Sequence, residues 1–158
     1  MKIEKAQRAD SEKITDLTIR SKNYWNYGDK QIAEWRDELT ITSKYIEENQ
    51  VYKLTINNGL IGFYAFQALN NKVVKLNYLF VEPKHIGNGH GKRLMTDFLK
   101  RIEKTDYKKV TLDADPNTEI FYQRIGFKAV GKLKSSIKNR FLPIMEMEIK
   151  LAYNKELC

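Results

Sequence analysis

The stretch VEPKHIGNGHGKRLM, residues 81–95, decides the fold of this chain, because a strand pattern ends in it and a helix pattern begins. Three glycines alternate with other residues and are followed by two basic ones, namely Gly87, Gly89, Gly91, Lys92 and Arg93. Glycine adopts positive φ without steric cost, and the start of a helix exposes N–H groups that have no intrahelical partner. These groups carry a partial positive charge that favours anions. The stretch therefore predicts a phosphate-binding turn between a strand and a helix.

Three β-rich segments precede the turn, and one amphipathic helix follows it. The segments cover residues 50–56, 60–69 and 73–81, and short runs rich in asparagine separate them, as in tight turns. This pattern predicts an antiparallel meander that ends at the glycines. Behind the glycines, apolar residues recur at helical spacing, at Leu94, Met95, Phe98, Leu99 and Ile102. We expect this stripe to face the core.

The residues before the meander predict one strand followed by helices. Residues 2–8 alternate weakly and predict the strand, and Asp10 is expected to cap a helix that ends near Asn23. Three side chains of that helix are expected to point inward, namely Ile14, Leu17 and Thr18. The residues that follow Trp35, to about Glu48, again predict helix.

The residues after the long helix predict a strand, a helix and two more strands. The strand covers residues 110–114, Asp115 and Pro116 open the helix, and Gly126 closes it. The two last strands and the proline of the basic loop between them are expected at 127–133, 144–151 and Pro143. A strand, a helix and a strand in succession across residues 73–114 require a parallel pair with a right-handed crossover.

The sequence therefore predicts one α/β (α+β) domain over residues 1–158, with a mixed, mostly antiparallel sheet of about six to seven strands flanked by helices. The net charge is +8, from 28 Lys and Arg against 20 Asp and Glu, which fits nucleic acid, an anionic surface or a polyanionic small molecule. The single cysteine, Cys158, forms no intrachain disulfide, and a cytoplasmic location is expected. The charged N-terminus predicts no signal peptide, and no apolar run has the length of a membrane span.

A glycine-rich turn of this kind can belong to several classes of phosphate-binding protein. A Walker loop requires glycine five residues before the last glycine and Ser or Thr after the lysine, but Ile86 and Arg93 stand there. A dinucleotide-dependent enzyme has GxGxxG in an early βαβ unit and an acid about 20 residues on, a place that Asp113 fills. Here the glycines spell GxGxG and follow antiparallel hairpins, so this alternative ranks lower. A basic nucleic-acid-binding module requires basic residues interleaved with exposed aromatics, whereas NYWNYGDK at 23–30 has little net charge.

Two longer motifs carry a broader similarity. LFVEPKHIGNGHGKRLM at 79–95 and DPNTEIFYQRIGF at 115–127 resemble the GNAT superfamily of N-acetyltransferases in sequence and spacing. The order of elements along nearly the whole chain is also similar to that family's. The chain departs from the motifs at Ile86, where Gln or Arg is usual, and at Asp115, where asparagine is usual. Asn117 lies two residues later, and which of these two contacts the cofactor stays open.

The resemblance implies that acetyl-CoA is the cofactor and coenzyme A the product. It implies an acyl-CoA lying between a splayed central pair of parallel strands, residues 73–81 and 110–114. Backbone groups that would bind the pantetheine arm belong to Leu79, Phe80 and Val81. Backbone groups that would bind the diphosphate belong to Gly87, Asn88, Gly89, His90, Gly91 and Lys92. Asn117 and Tyr122 complete the expected cofactor contacts.

The resemblance also implies a mechanism of direct attack by a primary amine in a ternary complex. Tyr122 falls on the tyrosine that is expected to protonate the leaving CoA thiolate, and an N–H near Phe80 or Val81 would polarise the thioester carbonyl. The family's usual position for a general base holds Lys75. A lysine serves poorly as a base unless burial lowers its pKa. The remaining alternatives are water-mediated catalysis by one of three carboxylates, Glu82, Asp113 or Asp115, or an amine that arrives neutral.

The acceptor is not identified by the sequence. Aromatic and polar residues in the segments that form the acceptor wall of such folds are Tyr24, Trp25, Tyr27, Trp35, Asn77 and Tyr78. They fit a small-molecule or peptide amine, such as a peptide N-terminus, a lysine, an aminoglycoside or a polyamine. We expect a monomer or homodimer without nucleic acid or membrane partners. The two histidines, His85 and His90, lack the neighbours of a metal site.

Overall fold

The computed structural model describes residues 1–149, and it contains seven strands, six α-helices and three 3₁₀ turns within that range. The strands are β1 (Lys2–Lys5), β2 (Gln50–Ile56), β3 (Gly59–Ala68), β4 (Val73–Val81), β5 (Lys109–Asp113), β6 (Lys128–Lys134) and β7 (Phe141–Glu148). The α-helices are α1 (Ser11–Asn23), α2 (Asp29–Glu34), α3 (Arg36–Leu39), α4 (Ser43–Glu48), α5 (His90–Glu103) and α6 (Glu119–Ile125). The 3₁₀ turns are Arg8–Asp10, Pro83–His85 and Pro116–Thr118.

The strands form one mixed sheet in the order β1-β2-β3-β4-β5-β7-β6. The pair β4 and β5 is parallel, with Val73 opposite Lys109, Val74 opposite Val110 and Lys75 opposite Thr111. The pairs β1–β2, β2–β3, β5–β7 and β6–β7 are antiparallel. The predicted fold class, a mostly antiparallel sheet of six to seven strands with one parallel pair, is confirmed.

The contacts divide the chain into two compact units, called here unit 1 (residues 1–66 and 78–99) and unit 2 (residues 67–77 and 100 onward). In unit 1, helix α1 and strands β2 and β3 share a core of buried apolar side chains that includes Ile14, Leu17, Ile41, Ile46, Val51 and Phe63. Of the predicted stripe on helix α5, Leu94, Met95 and Phe98 are buried in unit 1, and Leu99 is half-buried. The ring of Phe98 packs against Tyr64 and Phe66, with centroids 5.4 and 5.1 Å away.

Unit 2 contains helix α6 and the strands β5, β7 and β6. Its buried apolar side chains are Val110, Leu112, Ala114, Tyr122, Phe127 and Met145, together with Ile102 of α5. The register places Leu112 opposite Met145. Strand β6 is different from the others, because each of its seven residues is exposed.

Local sequence signals account for most turns. Asn57 and Asn58 have φ of 51° and 66°, so both central residues of the β2–β3 hairpin adopt the left-handed conformation that a tight two-residue turn requires. Asn70 closes the next turn, since its side-chain oxygen accepts hydrogen bonds from the N–H groups of Lys72 and Val73. Gly126, with φ of 126°, ends α6. The predicted meander is confirmed.

Several predicted boundaries were wrong. The first strand ends at Lys5 because Arg8–Asp10 forms a 3₁₀ turn, and the helix predicted up to Glu48 is divided into the short helices α3 and α4. Pro143 was expected in a loop, but it lies inside β7, which begins at Phe141. A proline fits there because only its N–H is missing, and its carbonyl oxygen still accepts a bond of 2.9 Å from the N–H of Ala114. The end of the last predicted strand, at 150–151, and Cys158 lie outside the described residues.

No helix among residues 1–149 combines the length and the apolarity that crossing a membrane requires.

Candidate functional site

The glycine turn of unit 1 lies between the end of β4 and the start of α5. The chain leaves β4 at Val81, makes the 3₁₀ turn Pro83–His85 and enters α5 at His90. Gly87 and Gly89 have φ of +90° and +82°, the left-handed region that favours glycine. A Cβ added at either glycine meets no atom within 4 Å. These two residues are therefore glycines because of their backbone conformation and not because neighbouring atoms crowd them.

The first N–H groups of α5 have no partner within the helix. The N–H of Arg93 bonds the carbonyl of Gly89 at 3.1 Å, so the N–H groups of His90, Gly91 and Lys92 precede this bond in the helix. Gly87, Asn88 and Gly89 are exposed to solvent, and so are the side chains of Lys92 and Arg93. The predicted phosphate-binding residues thus form an open, cationic turn at the head of a 14-residue helix.

The two histidines flank this turn. Their ring centroids are 5.8 Å apart in an edge-to-face arrangement. Burial lowers the pKa of His90 from its ordinary value, and the charges of His85 and Arg93 lower it further. The Nδ1 atom of His90 is buried and has no hydrogen-bond partner among the described residues. A neutral imidazole with an unsatisfied ring nitrogen stands at the first position of the helix.

Strand β4 passes β3 very closely just before the turn. A Cβ added at Gly62 would lie 2.7 Å from the carbonyl oxygen of Phe80 and 3.4 Å from the Cα of Val81. Only glycine permits this approach. The N–H of Glu82 then bonds the carbonyl of Ile61 at 2.7 Å. The sequence reasoning missed Gly62, although an isolated glycine inside a strand pattern signals a close approach of backbones.

A bidentate ion pair holds the residue that leaves β4. Arg20 of α1 donates from Nε to one oxygen of Glu82 at 3.0 Å and from Nη2 to the other at 2.6 Å. The Glu82 side chain is only 13% exposed. The pair ties α1 to the start of the glycine turn. It was not predicted, because the two residues are 62 positions apart and no local pattern links them.

Tyr122 is buried in unit 2, with 8% of its surface exposed. Its ring packs edge-on against Phe121 and Phe127, with centroids 5.1 and 5.7 Å away. Burial raises the pKa of the Tyr122 hydroxyl above its ordinary value, and the charge of Asp115 raises it further. The phenol is therefore neutral at physiological pH and has a proton to donate.

Asp115 is the centre of a closed polar network in unit 2. One of its oxygens accepts bonds from the backbone N–H and the side-chain amide of Asn117, both at 2.9 Å. The other oxygen accepts a bond of 3.0 Å from Arg140. Arg140 also donates to the hydroxyl of Ser135 at 2.9 Å. Asp115 thus has its expected role as an N-cap, and both of its oxygens accept hydrogen bonds within the protein. Of the two cofactor candidates, Asn117 is the more exposed.

The three carboxylates considered as a general base are all paired with cations. Glu82 pairs with Arg20, and Asp115 pairs with Arg140. Asp113 pairs with Lys75 at 2.9 Å, and the two side chains are 24% and 32% exposed. Lys75, in the position where the family places a base, is therefore a partner for Asp113 on the neighbouring strand.

The aromatic residues of the expected acceptor wall fall into two pairs in unit 1. Tyr24 and Trp25 are 46% and 39% exposed, with ring centroids 5.0 Å apart. Tyr27 packs on the buried Trp35 with centroids 4.9 Å apart. The ammonium of Lys22 lies 5.5 and 5.2 Å from these two rings. Because Lys22 already makes the cation–π contact, the Tyr27–Trp35 pair is less suited to a second cation than the exposed Tyr24–Trp25 pair.

Asn77 and Tyr78 are consecutive in β4, so their side chains point to opposite faces of the sheet. Tyr78 faces the helices of unit 1. Its hydroxyl donates to the carbonyl of Glu38 at 2.9 Å, and its ring packs against Tyr45 at 5.7 Å. Burial raises the pKa of Tyr78, with a smaller contribution from Glu38. These contacts make Tyr78 part of the core of unit 1.

The glycine turn fits the diphosphate of a coenzyme. Its N–H groups at the head of α5 require acceptors, no Cβ fills the space over Gly87 and Gly89, and Lys92 and Arg93 supply positive charge. The buried Nδ1 of His90 adds a further polar atom without a partner among residues 1–149. A phosphate-bearing coenzyme would supply acceptors for the exposed N–H groups of this turn.

Comparisons with known proteins support the same family. The model of the acetyltransferase (GNAT) domain matches residues 24–151. An uncharacterized N-acetyltransferase, ycf52, of Gracilaria tenuistipitata var. liui is 27% identical over 90 residues, which is 57% of this chain and 50% of that relative. The matching part therefore spans half the length of the curated relative.

Solved structures share the fold at low sequence identity. The PaiA N-acetyltransferase of Thermoplasma acidophilum, in complex with coenzyme A, is 20% identical with a TM-score of 0.77, over 93% of this chain and 98% of that one. The ribosomal-protein-S18-alanine N-acetyltransferase of Escherichia coli is 16% identical with a TM-score of 0.72, over 96% and 95% of the two chains.

Proposed function

Because this chain belongs to the GNAT family of acetyltransferases, we propose that it transfers an acetyl group from acetyl-CoA to a primary amine by direct attack in a ternary complex. The observation that carries this proposal is the glycine turn at the head of α5, with outward N–H groups and exposed cationic side chains. Acetyl-CoA supplies an acetyl group activated as a thioester. The chain supplies binding, polarisation and a proton.

The binding role falls to the turn and the end of β4. The N–H groups of residues 87–92 hold the diphosphate, and Lys92 adds positive charge beside it. The backbone of residues 79–81 bonds the pantetheine arm. An N–H near Phe80 or Val81 polarises the carbonyl of the thioester, which is worth about 3 kcal/mol in comparable oxyanion sites. Gly62 fixes this backbone, because it lets β3 support Phe80 at close range.

The proton-transfer role falls to Tyr122. The amine nitrogen forms a bond to the acetyl carbon, the bond between that carbon and sulfur breaks, and the phenol gives its proton to the sulfur. The proton released by the amine passes to solvent, from which the phenol is replenished. The raised pKa of Tyr122 keeps the proton on the phenol until the thiolate forms.

The acceptor is expected to arrive as a neutral amine. Glu82, Asp113 and Asp115 are each held by a lysine or arginine, so an unpaired carboxylate is not offered at any of the positions considered for a base. The exposed Tyr24–Trp25 pair is the acceptor surface that we propose. The first substrates to test are the acceptors named for related proteins, among them a ribosomal-protein alanine.

Calorimetry with coenzyme A, followed by a mass-spectrometric screen of amines with acetyl-CoA, tests the proposal. We expect coenzyme A to bind and one class of amine to gain an acetyl group. A ligand at 100 times its Kd stabilises a protein by about 2.7 kcal/mol, so thermal shifts give an independent reading. Stabilisation by NADH or an oligonucleotide without any response to coenzyme A would refute the proposal.

A further inference from the structure

The excess positive charge of the chain belongs almost entirely to unit 2. Unit 1 contains 13 Lys and Arg and 12 Asp and Glu, whereas the described part of unit 2, residues 67–77 and 100–149, contains 13 and 7. The stretch 120–145 contains six basic residues and no acidic one. The basic residues are Arg124, Lys128, Lys132, Lys134, Lys138 and Arg140.

Most of these charges have no counter-ion. Arg140 is paired with Asp115, but Lys128, Lys134 and Lys138 are exposed and take part in no ion pair within residues 1–149. The ammonium of Lys132 lies 4.7 Å from the centroid of the Phe141 ring. Three of these lysines belong to β6, the last strand in the order of the sheet. An edge strand leaves a row of backbone N–H and C=O groups without partners.

Exposed apolar side chains lie on the same strand and its neighbour. Val130 is 57% exposed, Leu133 is 46% exposed and Phe141 of β7 is 44% exposed. The register shifts between Ala129 and Gly131, and the four residues after the shift pair regularly with β7. Within residues 1–149, this surface thus combines an open backbone edge, apolar side chains and uncompensated positive charge. This combination is called the β6 edge below.

We propose that the β6 edge is a docking strand for an acidic, extended segment of a partner protein. Backbone groups of the segment pair with those of β6, its acidic side chains contact Lys128, Lys132 and Lys134, and its apolar side chains cover Val130 and Leu133. Charge complementarity raises the rate of encounter and selects the partner.

The same charges argue against the other occupants. A second copy would bring its own β6 lysines against these, and like charges on paired strands are destabilising. Residues 150–158 contain two lysines and one glutamate, so they do not supply the acidic residues. RNA would leave Val130 and Leu133 uncovered. Phe141 is the one exposed large aromatic among the described residues of unit 2, and Lys132 already lies over its ring.

A fluorescent peptide of about ten residues, the length of a long strand, in which glutamate alternates with valine, serves as the probe for anisotropy titration. We expect the triple variant Lys128→Glu, Lys132→Glu, Lys134→Glu to raise the Kd by about tenfold or more. The matched control, Lys72→Glu, Lys104→Glu, Lys108→Glu, makes the same change in net charge at exposed lysines of unit 2 outside β6. Because distant charges are screened at physiological salt, we expect it to change the Kd by less than about threefold.

Two further measurements separate strand pairing from simple attraction of charges. Hydrogen exchange of the amides of residues 128–134 should slow when the peptide binds, and the double variant Val130→Ser, Leu133→Ser should weaken binding. Circular dichroism checks that each variant is folded. Tyr122→Phe should bind the peptide like the native chain, so failure of this proposal and failure of the proposed acetyl transfer are distinguishable.

The proposal is overturned if the peptide does not bind, or if the two triple variants lose affinity equally. Tighter binding of a single-stranded RNA than of the peptide would assign the surface to nucleic acid. Self-association in ultracentrifugation that the β6 triple variant abolishes would assign it to a second copy. If the amides of residues 128–134 exchange at the same rate with and without the peptide, the peptide does not pair with β6, and the proposal is overturned.

Discussion

The glycine turn of unit 1 and the Tyr122 region of unit 2 are built in opposite ways. The turn is exposed and is made of backbone, with positive φ at Gly87 and Gly89 and open space where side chains would be. Tyr122 is buried, and the nearby Asp115 has both oxygens bonded, to Asn117 and Arg140. The turn is therefore sensitive to atoms that are added, and the Tyr122 region is sensitive to atoms that are removed.

This difference also separates the two proposed roles. A turn that binds a diphosphate through N–H groups tolerates changes in most side chains, because the binding groups belong to every residue. A proton donor acts through one oxygen atom, and its pKa depends on the charges beside it. Substitutions that add atoms to the turn or remove atoms from the Tyr122 region test this difference.

Removing the hydroxyl of Tyr122 should have the largest effect. We expect Tyr122→Phe to lower kcat by about 10² to 10⁴, because the thiolate then leaves without a positioned acid, while the Kd for coenzyme A barely changes. Steady-state kinetics and calorimetry measure the two quantities. Tyr107→Phe is the matched control in the same unit. Unaltered turnover, in a variant whose chemical step is rate-limiting, would remove Tyr122 from the mechanism.

Removing the guanidinium of Arg140 should destabilise unit 2. Arg140 and Asp115 are 16% and 10% exposed, and breaking a pair that is nearly buried leaves a charge without compensation. We expect Arg140→Gln to cost about 2 kcal/mol in the free energy of unfolding, less than a fully buried pair would. It should also lower kcat, since the uncompensated Asp115 raises the pKa of Tyr122 further.

Chemical denaturation and the pH profile of kcat measure these two effects of Arg140→Gln. Lys138→Gln removes a charge from the same loop without breaking an ion pair, so it should change neither quantity. If Arg140→Gln and Lys138→Gln change stability and kcat equally little, the ion pair around Asp115 contributes to neither quantity beyond the solvation of its charges.

Adding a side chain to the turn should weaken binding of coenzyme A about tenfold, or about 1.4 kcal/mol. Gly89→Val blocks the approach to the N–H groups and strains a backbone at φ of +82°. Gly28→Val is a close control, because Gly28 has φ of +87° and equally open surroundings. Both variants should lose similar stability in thermal melts, but only Gly89→Val should lose affinity. Equal affinity in calorimetry would give Gly89 a purely structural role.

The smallest effect concerns the pH dependence of stability at the turn. The pKa of His90 is lowered in the folded chain, so below its ordinary value of about 6.5 the unfolded chain binds more protons than the folded one. Stability should therefore fall as the pH falls below about 6.5, and His90→Asn should remove part of this loss. Urea denaturation at several pH values measures it. A native chain and variant with the same pH dependence would contradict the assignment.

The sequence predicted the elements whose signals are local. The asparagines of the β2–β3 hairpin, the apolar stripe of α5 and the cap at Asp115 each depend on residues a few positions apart. The signals failed where tertiary contacts override them. Pro143 lies in a strand because β5 and β6 hold β7 in place on both sides, and one missing N–H does not outweigh those two ladders.

The sequence by itself determined the family, the glycine turn and the chemical identity of the expected proton donor, because each of these is a pattern of neighbouring residues. The tertiary structure decided which charges are compensated. Arg20 binds Glu82 and Arg140 binds Asp115 across 62 and 25 positions, while the β6 lysines keep their charge exposed. Such pairings depend on which surfaces the packing of the core brings together, and no spacing along the chain encodes that directly.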